Sequence, residues 1–342
     1  MSIEIAADPD TLPTPPVAAV PAGRRKLRMP RSPKILAGLG LLAFFVLLAV
    51  LGPLVAPQDP TATTVALLQG PSGAHWLGTT QAGQDVFSEL LVGARSTVMI
   101  GFLAGIIATA LSIIVGVSAG YFGGLVDDLL SMVTNVFLVI PGLPLLIVLA
   151  AYLPKGTSSN PIVIALIVSV TGWAWGARVL RAQTLSMRRR DYVESARVIG
   201  ERNLRIIARE ILPNLVAIVA SSFVFTVLYA IGTYVALAFL GVVDPSYWSW
   251  GGILFWAEAQ SAAQVGAWWW FLPPGICIAL LGTSLALLNF GIDEFINPRL
   301  RAAGLSRKAT KAAGLPRRPK FGMTPVVRRA RPAVATIEGV SQ

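Results

Sequence analysis

Residues 188–213 read RRRDYVESARVIGERNLRIIAREILP, a polar, arginine-rich stretch set between two hydrophobic runs. Asp191 with Glu194 three residues on predicts a helix N-cap and its capping-box partner. Tyr192, Val193, Ala196 and Ile199 form the less polar side of that first helix. Gly200 offers the left-handed conformation that ends it. A second helix is expected through Leu204, Ile206, Ile207 and Ile211, and Pro213 suits the first turn of the hydrophobic helix that follows. Nine arginines fall between residues 178 and 210, which assigns the stretch to the cytoplasmic side of a membrane. A compact helical hairpin in that place offers a grip to another protein.

The composition requires the membrane. The chain has 342 residues, 54% of them hydrophobic and only 13% charged, with a mean hydropathy of +0.68. These values describe a polytopic membrane protein. The net charge of +11 does not point to nucleic acid, because 26 of the 28 Lys and Arg cluster before residue 35, between 178 and 210, and after 298. Basic residues gathered in alternate loops set topology and need no anionic ligand. One cysteine, Cys277, and one histidine, His75, exclude a disulfide framework and a metal cluster. No G-x-x-x-x-G-K-S/T occurs, so the chain has no nucleotide cradle of its own. No nucleophile–base pair is in view either, so no catalytic residue, metal or cofactor is expected.

Working outward, hydropathy predicts an all-α protein of six transmembrane helices with both termini cytoplasmic. Residues 1–33 and 302–342 read as disordered tails, the second basic. A first helix covers 34–56, about the length a bilayer needs, followed by an external segment over 57–95 and a core over 96–301. In the second span Gly101, Gly105, Thr109, Ser112, Gly116 and Gly120 share one face and predict close packing. Pro141 and Pro144 predict a kink or break in the third. Trp173 and Trp175 read as interfacial residues at the end of the fourth span, with Arg178 and Arg181 snorkelling beyond them. In the fifth, Ser222, Thr226, Tyr229 and Thr233 form a polar stripe. It reads equally as the wall of a translocation path or as hydroxyls bonded to their own helix and its neighbours. The spans contain no central charge, which argues against proton-coupled transport. Between 243 and 270, Tyr247, Trp248, Trp250, Trp256 and Trp268–Trp270 suit an aromatic belt or, less well, a stacking platform, with a short helix over 253–263.

Three stretches carry a resemblance. Glu194-Ser195-Ala196, Gly200 and Leu212-Pro213 resemble the EAA loop of ABC importer permeases, with Ser195 in place of the usual Ala and Glu210 in place of an aliphatic residue. The stretch HWLGTTQAGQDVFSELLVGARS, 75–96, resembles the segment before the second span in the second permease of oligopeptide and dipeptide importers. The matches there are His75, Leu77, Gly78, Thr79, Gly83, Asp85, Val86, Ser88, Gly93, Ala94 and Arg95. That family often has an acid at the position of Thr80 and bases at those of Gln84 and Glu89. FGIDEFINPRLR, 290–301, is similar to the family's terminal motif at Gly291, Pro298, Arg299 and Arg301.

The resemblance implies a five-helix permease core preceded by one extra helix in a prokaryotic cell membrane. It implies a coupling helix that docks on an ATPase, here Asp191, Tyr192, Glu194, Ser195, Ala196, Gly200 and Leu204. The implied partners are ABC ATPase chains, a second homologous permease and an external substrate-binding protein. Peptides are the implied cargo, with oligosaccharides open as an alternative. A non-transporting membrane scaffold or receptor is the contrasting class.

Overall fold

The computed structural model describes residues 33–154, 157, 160–244 and 248–296, with side chains described as far as 292. The expected tails, Tyr247 and the motif residues Pro298, Arg299 and Arg301 lie outside that range. The order is α1 (Pro33–Val55), α2 (Val86–Phe122), α3 (Gly124–Val139), α4 (Gly142–Ala151), α5 (Pro161–Met187), α6 (Asp191–Val198) and α7 (Asn203–Ile206). A π-helical turn, Ile207–Ile211, then leads into α8 (Leu212–Phe239), followed by α9 (Trp250–Ala259) and α10 (Trp268–Ile296). The described residues form no strands. Five helical stretches are long and apolar enough to cross a membrane, and there are six spans if the bent pair α3–α4 counts as one.

That pair turns through 90°, which makes the expected kink a full break. Pro141 has no N–H to continue the ladder, and it drives Ile140 before it into extended backbone, ψ 127°. The helix restarts at Gly142.

α2 begins eleven residues earlier than the span expected from Thr97, so 86–95 belong to the helix and not to the external segment. Asp85 starts it, accepting from the Ser88 amide at 2.9 Å and from its hydroxyl at 2.7 Å. Its other oxygen lies 3.0 Å from His75 Nδ1, and the Trp269 indole donates to the Thr79 carbonyl at 3.3 Å. The motif residues of 75–88 therefore fold their own segment onto the helix end.

α2 is the central strut. Its small-residue face does pack closely, but against two different partners. Gly101 and Gly105 meet Ile231 and Val227 of α8, whereas Gly116 and Gly120 meet Ala177, Arg181 and Thr184 of α5. Between them, Ser112 Oγ lies 2.8 Å from the Ala108 carbonyl and 2.6 Å from that of Trp173 on α5. Because α5 runs on to Met187, Trp173 is buried in mid-helix and is not an interfacial residue at the helix end. α1 packs on α10 and α2, burying Phe45 edge-on against Trp250 at 5.6 Å. Trp250 belongs to this core and not to an aromatic belt. It is fully buried, and its indole N–H donates to the Leu90 carbonyl at 3.0 Å.

Candidate functional site

The hairpin between α5 and α8 is built from inside outward. Val193, Ile206, Ile211 and Leu215 are buried against Val117 and Tyr121 of α2 and Leu180 of α5. The two buried isoleucines stand five residues apart, the period of a π turn and not of an α-helix. The extra residue falls just before Pro213, which cannot donate to the carbonyl four residues back, and the Asn214 side chain bonds the Glu210 carbonyl at 2.6 Å. The second helix of the hairpin is thus one α turn continued through a π turn into α8.

α6 starts one residue earlier than the capping box requires. Arg190 is the N-cap and makes no side-chain cap bond, while Asp191 and Glu194 both lie in the first turn. There they favour the helix through its dipole, which corrects the N-cap role expected of Asp191. The far end follows the sequence closely. Gly200 has φ +84°, its amide bonds Arg197 O at 3.0 Å, and the Glu201 amide bonds Ala196 O at 3.1 Å. These two bonds constitute a Schellman cap.

Polar contacts fix the hairpin to the end of α2. The Tyr121 hydroxyl lies 3.0 Å from Asn203 Oδ1. The Arg197 guanidinium stacks 4.9 Å over the Tyr121 ring, and Arg188 donates to the Gly120 carbonyl at 3.3 Å. Ser195 turns its hydroxyl onto the Asp191 carbonyl, 2.7 Å away, so the change from Ala is absorbed within the helix. Glu210 is half-buried beside fully buried Ile211.

On the outward side three aliphatic side chains stand free: Val198 is 87% exposed, Ile199 79% and Leu204 77%, with Tyr192 half-exposed nearby. Ile199, expected on the same stripe as buried Val193, therefore belongs to this outer patch.

Arg178 and Arg181 do not snorkel freely. Arg181 grips Asp127 of α3 through Nε (2.5 Å) and Nη2 (2.8 Å), and Arg178 donates to Asn135 at 2.7 Å. This clasp between α5 and α3 was not foreseen. Its only trace in the sequence is the Asp127–Asp128 pair ahead of a hydrophobic run.

The polar stripe of α8 divides. Ser222, Thr226 and Thr233 are buried, Thr226 bonding its own Ser222 carbonyl at 2.8 Å. Tyr229 is half-buried, its hydroxyl 3.0 Å from Thr171 of α5 and close against Gly142 at the α3–α4 break.

A helical hairpin anchored on its inner face and carrying exposed aliphatic side chains on its outer one, between two spans, is the feature for which the comparisons with known proteins decide the family. Residues 112–302 match the binding-protein-dependent transport system inner membrane component family, and 28–71 match the N-terminal TM domain of oligopeptide transport permease C. The chain belongs to this permease family. A putative peptide transport system permease protein of Brucella suis is 34% identical over 300 residues, 87% of this chain and 99% of the relative. The dipeptide transport system permease protein DppC of Bacillus subtilis is 31% identical, covering 80% of this chain and 84% of its own. The oligopeptide transport system permease protein OppC of Mycobacterium tuberculosis is 31% identical over 77% of this chain and 89% of its own. The permease is accordingly a multi-pass protein of the bacterial inner membrane.

Proposed function

We propose that the chain is the membrane-spanning subunit of an ATP-driven, binding-protein-dependent importer of peptides, and that the 188–213 hairpin is where a partner ATPase holds it. The observation that carries this reading is the outer patch of Val198, Ile199 and Leu204. Burying each such side chain contributes about 2 kcal/mol, and among the described residues nothing covers them. Arg202 and Arg205 are exposed and adjoin these residues in the sequence, and exposed apolar side chains among charged ones are the pattern of a docking surface.

ATP binding draws two ATPase chains together and carries both hairpins, one on this chain and one on a homologous partner permease. Here α5 enters the hairpin and α8 leaves it through an unbroken helical run, so displacement of the patch is delivered to two spans at once. The cavity between the permeases then opens toward an external binding protein, and hydrolysis resets it. In this orientation the hairpin and both termini face the cytoplasm. The path is placed beside α8 at Tyr229, the stripe residue that is only half-buried, while Ser222, Thr226 and Thr233 are buried within the chain and pack the helix. Peptides are favoured over oligosaccharides because the relatives named above are peptide permeases.

The test is disulfide trapping. With Cys277 replaced by Ala, Leu204→Cys is expected to form a disulfide, under an added mild oxidant, with a cysteine introduced into the docking groove of a co-expressed ATPase, and to resist membrane-impermeant maleimide added outside intact cells. Labelling from outside, or isolation as a stable homomer without any ATPase, would favour a scaffold or receptor and reject the coupling role.

A further inference from the structure

At the end of α2 opposite the hairpin lies a cavity of about 520 Å³. Its walls include Thr80 and Gln84 from the segment before α2, Glu89 from the first turn of the helix, and Trp248, Trp256 and Trp270. The fold gathers Thr80, Gln84 and Glu89 on this one hollow.

Glu89 is only 3% exposed, and among the described residues no hydrogen bond or ion pair reaches its carboxylate. Asp85, one turn earlier, is engaged by His75 and Ser88 and adds a second negative charge nearby. Among the described residues no basic side chain lines the cavity. A buried carboxylate without a partner is costly, and the cost is relieved by a cation entering the cavity. Three indoles supply π faces that attract the same kind of group. The Trp270 indole N–H is buried and has no acceptor, so it is available to a carbonyl carried beside that cation. An ammonium or guanidinium with a peptide carbonyl close by satisfies all of these groups together, and the volume suits a residue or two.

We propose that this cavity binds the cationic group of a peptide substrate, its amino-terminal ammonium or a basic side chain, with Glu89 as the counter-charge. The inference rests on the peptide-importer reading above.

Its test uses the assembled transporter with its binding protein in proteoliposomes and compares KM for trialanine, N-acetyl-trialanine and N-acetyl-trilysine. Because the binding protein is constant, a change in the ratio of these values between variants comes from the permease. Glu89→Gln is expected to raise KM for the ammonium-bearing peptides about tenfold relative to N-acetyl-trialanine, whereas Glu89→Asp retains the preference. An effect on trialanine alone assigns the cavity to the amino terminus, and an effect on N-acetyl-trilysine extends it to side chains. An equal change for all three peptides gives Glu89 a structural role and overturns the inference. So does weakened binding-protein affinity with an unchanged ratio. Uptake of no peptide by the wild type overturns the peptide reading itself, while uptake with a ratio untouched by Glu89→Gln overturns this inference alone.

Discussion

Gly200 has nothing within 4 Å of where a Cβ would stand, so the cost of replacing it falls on the backbone alone. A β-branched residue held at φ +84° costs about 1–2 kcal/mol, enough to loosen the Schellman cap without touching any packed surface. Gly200→Val is therefore expected to insert normally and hydrolyse ATP with its partners, but to lose uptake per ATP in proteoliposomes. Unchanged coupling would remove the hairpin from the mechanism. Gly116 is the opposite case: a Cβ there drives into the Ala177 carbonyl of α5. Gly116→Leu is expected to cost about 1–3 kcal/mol, read as a lowered unfolding temperature in detergent.

Among the elements, the continuation of α7 through the π turn into α8 makes the sharpest prediction. A π turn has one residue more than an α turn, so deleting Ala208 removes the excess and leaves the faces on either side in register. The missing Pro213 N–H then interrupts a regular helix, at up to about 3 kcal/mol. Deleting Ala208 together with Pro213→Ala is thus expected to yield a more stable protein, by thermal unfolding, than the deletion alone. Deleting Val224, with no bulge to absorb it, should abolish folding. The contrast also shows what the sequence could disclose. The Gly200 cap and the break at Pro141 were legible because each depends on a few adjacent residues. The π turn was not, because five-residue spacing between Ile206 and Ile211 has meaning only once Val117, Tyr121 and Leu180 stand opposite. Trp250 was misread for the same reason: aromatic composition suggested an interface, and only the approach of Leu90 and Phe45 makes that residue core. The exposed side of the hairpin was legible as a stretch, but not as a face. Val193 and Ile199 belong to one sequence pattern, yet one is covered by α2 and α5 and the other is open.

For the whole molecule, the clasp of Arg181 on Asp127 adds a polar tie between the broken pair α3–α4 and the rest of the bundle. The pair is partly exposed, with the Arg181 side chain 36% accessible, so its loss is worth about 2 kcal/mol at most. Asp127→Asn is expected to lower the unfolding temperature, and adding Arg181→Gln should cost little more, the signature of a coupled pair in a double-mutant cycle. Additive losses would mean that the two residues act separately. The 37 residues of α2 make a rod about 55 Å long, with the Glu89 cavity at one tip and Tyr121 under the hairpin at the other. Its glycines seat it on α8 near mid-length and on α5 near the hairpin end, so the rod is clamped to both spans that flank the hairpin. Under the proposed coupling, a load at the hairpin and a guest beside Glu89 would bear on one and the same stiff member, with no relay of side chains between them.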